Sequence, residues 1–117
     1  MTSWRQERRE VERIERLPLE QLETLTNEND TQILDVRERS EWEAGHIPGS
    51  VIVPWHDIKG LPDDLDPSKP IAVVCASGQR AAVGASLLKR YGAHRVIHVI
   101  DGGVPKWKRL GLPVEQG

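Results

Sequence analysis

Short apolar runs alternate with helix-like stretches along this chain. "QILDV" (32–36), "SVIVP" (50–54), "IAVVC" (71–75) and "RVIHVI" (95–100) are short and rich in β-branched residues, and each is bounded by polar or turn residues. They predict buried strands. "RIERL" (13–17) predicts an edge strand, and "PLEQLETLT" (18–26) a helix that turns Leu19, Leu22 and Leu25 inward. "SEWEAG" (40–45) predicts one or two helical turns, with Ser40 and Glu43 at capping-box spacing and Gly45 as the stop. "DIKGLPDDLDPSKP" (57–70) reads as loop and turn. "RAAVGASLLKRYG" (80–92) predicts a helix with Ala81, Ala85 and Leu88 on one stripe and Gly92 as its C-cap. "PKWKRLG" (105–111) predicts a short last helix with Pro105 at its first position.

Strands that alternate with helices are joined by crossovers and run parallel, which implies an α/β sandwich with helices on both faces of the sheet. Small sheets of this kind bind ligands beyond the carboxyl ends of their strands. Three strands end there in polar or special residues: Asp35 to Arg37, Cys75 to Arg80, and Asp101 to Gly103. In a parallel sheet these groups share one edge, which becomes the candidate site.

Composition narrows the class. A chain of 117 residues, 38% hydrophobic and 29% charged, has material for one globular domain with an ordinary core. A net charge of −2 gives no reason to expect a nucleic-acid or membrane-surface partner, and no run approaches the roughly 20 apolar residues of a membrane span. The start, "MTSWRQERRE", lacks the apolar segment of a signal peptide. The single cysteine cannot make an internal disulfide, so a reducing, cytoplasmic setting is expected. His46, His56, His94 and His98 show no ligand spacing, so neither a metal nor another cofactor is expected.

One repeat cuts across this organisation. "MTSWRQERREVE" (1–12) lies on "VPKWKRLGLPVE" (104–115) without gaps, matching Trp4 to Trp107, Arg5 to Lys108, Val11 to Val114 and Glu12 to Glu115. Chance similarity between two basic, amphipathic stretches is one reading. The other is that residues 1–12 are the tail of a preceding similar domain, with the domain proper spanning 13–117 in a fused or tandem protein.

The cysteine lies in "CASGQRA" (75–81), between an apolar strand and a helix. Ala76, Ser77, Gly78 and Gln79 are small or polar, so the backbone can curl and aim several N–H groups at one point, an anion nest. The helix beginning near Arg80 adds its positive end. An ordinary thiol, pKa about 8.5, is only a few per cent thiolate near neutrality; bringing such a group to about 6.5 takes about 2.7 kcal/mol of differential stabilisation. A few oriented amides and a helix terminus can supply that, and the same ring would hold the terminal sulfur of a persulfide. The competing reading is a buried structural cysteine at a strand end.

The chain resembles the rhodanese family of sulfurtransferases over nearly its whole length. "CASGQRA" is similar to the family's active-site loop, "DVRERSEWEAGHIPGSVIVP" (35–54) to its Asp-x-Arg…Gly-His-Ile-Pro-Gly segment, and "DGGVPKWKRLGLPV" (101–114) to its Gly-Gly…Trp…Gly-Leu-Pro-Val ending. The resemblance implies a three-layer α/β sandwich with a mainly parallel five-stranded sheet. It also implies a ping-pong reaction: a cysteine takes a sulfane sulfur from thiosulfate or a small persulfide and hands it to cyanide or a thiol. Carried over, Cys75 is the nucleophile, the amides of Ala76, Ser77, Gly78, Gln79, Arg80 and Ala81 form the cradle, and Arg80 binds the anion. Asp35 and Arg37 are supporting residues, with a buried pair as their alternative role. Glu41 and His46 are expected to be structural, Trp107 to be core, and Gly102 and Gly103 to permit a tight turn near the site. The sequence departs from the family pattern at Ala76, which leaves no second cation beside the cysteine and disfavours thiosulfate relative to a persulfide donor. A partner-dependent sulfur-relay module is the alternative. Cysteine phosphatases and arsenate reductases fit less well, because their loops have five residues between Cys and Arg and this one has four.

Overall fold

The computed structural model describes residues 14–28, 30–76 and 79–116. The repeat segment 1–12, the first residue of the expected edge strand, and the loop residues Ser77 and Gly78 lie outside the described residues. Five strands form one sheet: β1 (Glu15–Pro18), β2 (Gln32–Asp35), β3 (Val51–Ile52), β4 (Ile71–Val74) and β5 (Val96–Ile100). Their order is β1-β5-β4-β2-β3, and every pairing is parallel. Among the described residues four α-helices accompany them: α1 (Leu22–Glu28), α2 (Arg39–Ala44), α3 (Gln79–Arg90) and α4 (Val104–Arg109).

Side-chain alternation along the strands builds two cores. On β4, Ile71 and Val73 join Leu34, Val36 and Val96 under the α3 stripe of Ala81, Ala85 and Leu88. Ala72 and Val74 point the other way and join Ile33, Ile97 and Val99 under Leu19, Leu22, Val104 and Trp107. All four β4 residues are therefore buried, which is why this strand reads as a continuous apolar run. A Cβ on Gly84 would lie 3.0 Å from Val36 and 3.2 Å from Val73, so α3 seats its backbone close to the sheet there. Gly92, at φ +99, closes α3, with its own N–H and that of Ala93 returned to Lys89 and Leu88.

Local differences have local causes. Pro18 ends β1 in an extended conformation, and a 3-10 turn over Leu19–Gln21 precedes α1, so the expected helix starts later than residue 18. The cap of α2 is Glu38 with Glu41, not Ser40 with Glu43: each glutamate accepts the other's backbone N–H. Trp55–Asp57 forms a 3-10 turn that extends into the stretch expected to be loop. Val104 occupies the first position of α4 and Pro105 the second. Among the described residues, no helix is long and apolar enough to cross a membrane.

Candidate active site

Parallel register brings the three polar strand ends together. Val36 donates its N–H to the Val74 carbonyl at 3.0 Å, and Val104 donates to the Cys75 carbonyl at 3.0 Å. Cys75 is fully buried at the end of β4, and its Sγ accepts the Ala81 N–H at 3.3 Å. Ala81 lies in the first turn of α3, so this amide is one of those with no partner within the helix. Ala76 is half-buried and Gln79 exposed at the start of α3.

Gly103 explains the glycine pair. Its φ of −157 is extended backbone open to any residue, but a Cβ there would fall 1.7 Å from the Cys75 carbonyl oxygen. Room, not conformation, requires glycine at this position. Gly102, at φ +124, and Asp101, at φ +60, make the turn that delivers Gly103 to the cysteine. Lys106 ties the turn down, donating to the Asp101 carbonyl at 2.9 Å and pairing with Glu20 at 2.8 Å.

Two arginine–carboxylate pairs flank the loop. Asp35 and Arg37, 0% and 4% exposed, form a buried pair: Nη2 to Oδ2 is 2.8 Å, and Nε lies 3.0 Å from both carboxylate oxygens. The Arg37 N–H also donates to Asp35 at 3.0 Å, and Nη2 reaches the Gly45 carbonyl at 2.9 Å. Arg80 points elsewhere. It forks onto Glu41, Nη1 to Oε1 at 2.8 Å and Nη2 to Oε2 at 3.2 Å, with side chains 30% and 37% exposed. These hydrogen bonds raise the guanidinium above its ordinary pKa against the effect of partial burial, with smaller electrostatic contributions from Glu41 and the Cys75 sulfur. They also hold the Glu41 carboxyl below its ordinary value. Glu38 extends the network: it meets His56 Nε2 at 2.9 Å, and this contact, more than that with Asp57, raises the imidazole pKa. The links run from His56 through Glu38 and Glu41 to Arg80, next to the amide that holds the sulfur.

The remaining sequence candidates, His46 and Trp107, bind backbone carbonyls. His46 stacks on Trp42 at 3.6 Å, bonds the Trp42 carbonyl through Nδ1 at 2.9 Å and pairs by backbone with Glu115. Trp107 is 4% exposed and donates to the Pro113 carbonyl. A cavity of about 420 Å³ opens by the start of β2, between Ile33, Ile47, Leu65 and Trp107, and Cys75 and Arg80 are not among its walls. Sequence reasoning missed Glu38, His56 and Lys106. The acidic pair Glu38 and Glu41, spaced three apart before a helix, was the available signal for the first.

The profile of the rhodanese-like domain matches residues 18–110. The chain belongs to the rhodanese-like family. It is 34% identical over 93 residues to thiosulfate sulfurtransferase GlpE of Pseudomonas syringae, covering 80% of this chain and 86% of that protein. It is 39% identical over 70 residues to YrkF of Bacillus subtilis, named as a proposed sulfur carrier protein; the match covers 60% of this chain, and this rhodanese-like protein spans only 38% of that relative's length. Among solved structures, a rhodanese-related protein from Thermoplasma volcanium superposes with a TM-score of 0.74 at 28% identity, covering 88% of this chain and 99% of that one.

Proposed function

We propose that this rhodanese-like protein is a sulfurtransferase in which Cys75 carries the sulfur. The thiolate attacks the sulfane sulfur of the donor, and the donor's S–S bond breaks. Thiosulfate leaves as sulfite, and a persulfide leaves as a thiolate. The terminal sulfur of the enzyme persulfide, Cys–S–S⁻, is then attacked by cyanide or a thiolate, which takes that sulfur and restores the Cys75 thiolate. No net electrons are gained or lost. No second cysteine exists to resolve the persulfide internally, so the acceptor is external.

One observation carries the reading: the sole thiol of a rhodanese-like chain sits at a strand end with its sulfur on an amide of the following helix's first turn. In this reading the backbone N–H groups of Ala76, Gln79 and Arg80 join that of Ala81 in holding the anion. Arg80 then contributes long-range charge to anionic donors, because its fork is engaged by Glu41. With Ala76 neutral, a persulfide such as that of glutathione is the better donor. Intact mass spectrometry tests the reaction class: one sulfur atom is gained on exposure to thiosulfate or glutathione persulfide, and none by Cys75→Ser. No gain in the native protein refutes the assignment. Relative kcat/KM for the two donors tests the preference, and a clear advantage for thiosulfate refutes it.

The sulfur carrier named among the relatives favours a second form of the same chemistry, in which sulfur passes to one attached or bound partner. Rapid loading with slow turnover by small thiols would distinguish it. Hydrolysis of phosphate esters would instead place the protein with the cysteine phosphatases.

A further inference from the structure

The contacts that end on Arg80 begin at His56, a residue the sulfur chemistry above does not use. His56 is exposed on the 3-10 turn after β3. Its Nε2 lies 2.9 Å and 3.2 Å from the two Glu38 carboxylate oxygens, and its Nδ1 lies 3.2 Å from Asp57 Oδ1. The Trp55 ring meets the imidazole edge-on. Glu38 in turn caps α2 together with Glu41, and Glu41 holds the Arg80 fork. From the other side, α3 packs on the His56 turn and brings Arg80 with it. The Arg80 charge acts on Glu41, on the Cys75 sulfur and on Glu38. Three carboxylates (Glu38, Glu41 and Asp57) against one guanidinium leave this cluster with an excess of negative charge. A proton on His56 cancels part of that excess. Arginine and lysine stay charged through the neutral range, so Arg39 and Lys59, exposed and near in sequence, add only a constant.

We propose that His56 is a specificity-determining residue of this site: its proton sets how negative the cluster beside Cys75 is, and so how readily an anion reaches the sulfur. The inference rests on the reading of Cys75 as the reacting thiol. His56 touches no reacting atom and acts through Glu38, Glu41 and Arg80. What it discriminates is charge. With the proton in place a dianion such as thiosulfate gains most, a singly charged persulfide less, and a neutral reagent least. The contact with Glu38 raises the imidazole above its ordinary 6.5. The proton is therefore in place on the acid side and is lost as the pH rises through the folded value, and the preference for anions is lost with it.

Alkylation of Cys75 in the full 117-residue chain tests this, because it separates charge from nucleophilicity. Iodoacetate is an anion and iodoacetamide is neutral. Both consume the same thiolate, so the ratio of their rate constants cancels the thiolate fraction. The chain has no other cysteine, so intact mass reads the reaction at Cys75 alone. In the native protein the iodoacetate-to-iodoacetamide ratio should fall about two- to five-fold between about pH 5.5 and about pH 8.5. His56→Gln should hold the ratio low at every pH, and His56→Lys should hold it high. About 0.5 M salt should flatten the native profile. A role confined to the fold would move both variants in the same direction. A native ratio that does not change with pH, the same profile in His56→Gln, or a thiol that neither reagent reaches overturns the inference. The sulfur-transfer reading is judged separately, by the mass gained from sulfur donors, and alkylation requires no sulfur transfer.

Discussion

The pairs Asp35–Arg37 and Glu41–Arg80 use the same two chemical groups beside the same loop, and they do different work. The first is buried, spans two residues at the end of β2 and binds backbone at Arg37 and Gly45 as well as itself. The second is one-third exposed and joins residues 39 apart, from α2 to the start of α3. A buried charge stripped of its partner has nowhere to be solvated, whereas a rim charge falls back on water. The inner pair therefore holds the scaffold, and the outer pair leaves its charges within reach of solvent.

The largest expected effect comes from the inner pair. Arg37→Leu leaves the Asp35 carboxylate buried without its counter-charge, held only by the backbone N–H of residue 37, and should cost about 3–5 kcal/mol, read as a urea or thermal midpoint shift. Replacing both, Asp35→Leu with Arg37→Leu, should recover much of that loss, because apolar packing substitutes for a buried pair. A double variant as unstable as the single would show that the bonds to backbone outweigh the pairing.

The outer pair should behave in the opposite way. Glu41→Gln is expected to cost under about 1 kcal/mol, while leaving the Arg80 charge uncompensated. The KM for thiosulfate, a compact dianion, should then fall several-fold, with a smaller change for a singly charged persulfide. Equal changes for both donors would remove Arg80 from donor recognition.

The smallest effects concern pH. The Glu41 carboxyl is held below its ordinary 4.5 in the folded protein, so the contribution of its pair is complete above about that pH and fades as the pH falls through the folded value. The His56 imidazole is raised above 6.5 by Glu38, so its contribution is complete below about 6.5 and fades as the pH rises through the folded value. Melting temperatures across both windows should show two small steps. Glu41→Gln should shrink the acid one, to which the likewise lowered Glu20 and Asp66 carboxyls contribute, and His56→Gln should erase the neutral one.

The sequence exposed the parts of the molecule governed by short-range pattern. β4 is apolar at every position because both its faces are covered, and Ala81, Ala85 and Leu88 repeat at helical spacing because one face of α3 meets the sheet. The grouping of the strand ends at Asp35, Cys75 and Asp101 followed from parallel strands and their polar endings, and every pairing is parallel. Less legible was whatever depends on a partner far along the chain. That Glu41, 39 residues earlier, is brought to Arg80 is not visible in the sequence. Ser40 is the stronger capping residue by type, yet Glu38 caps α2, and it also meets His56 from the turn after β3. The Gly103 requirement was visible as a motif, but its cause, a carbonyl oxygen from another strand, was not.

The crossing of Gly103 over the Cys75 carbonyl, with Val104 bonded to it, also orders events in time. Cys75 leaves the ribosome well before the residues that brace its strand end, so a nascent chain holds its thiol on an unfinished loop. A chain that lacks Gly103 and Val104 leaves the Cys75 carbonyl without its partner and the end of β4 without its brace.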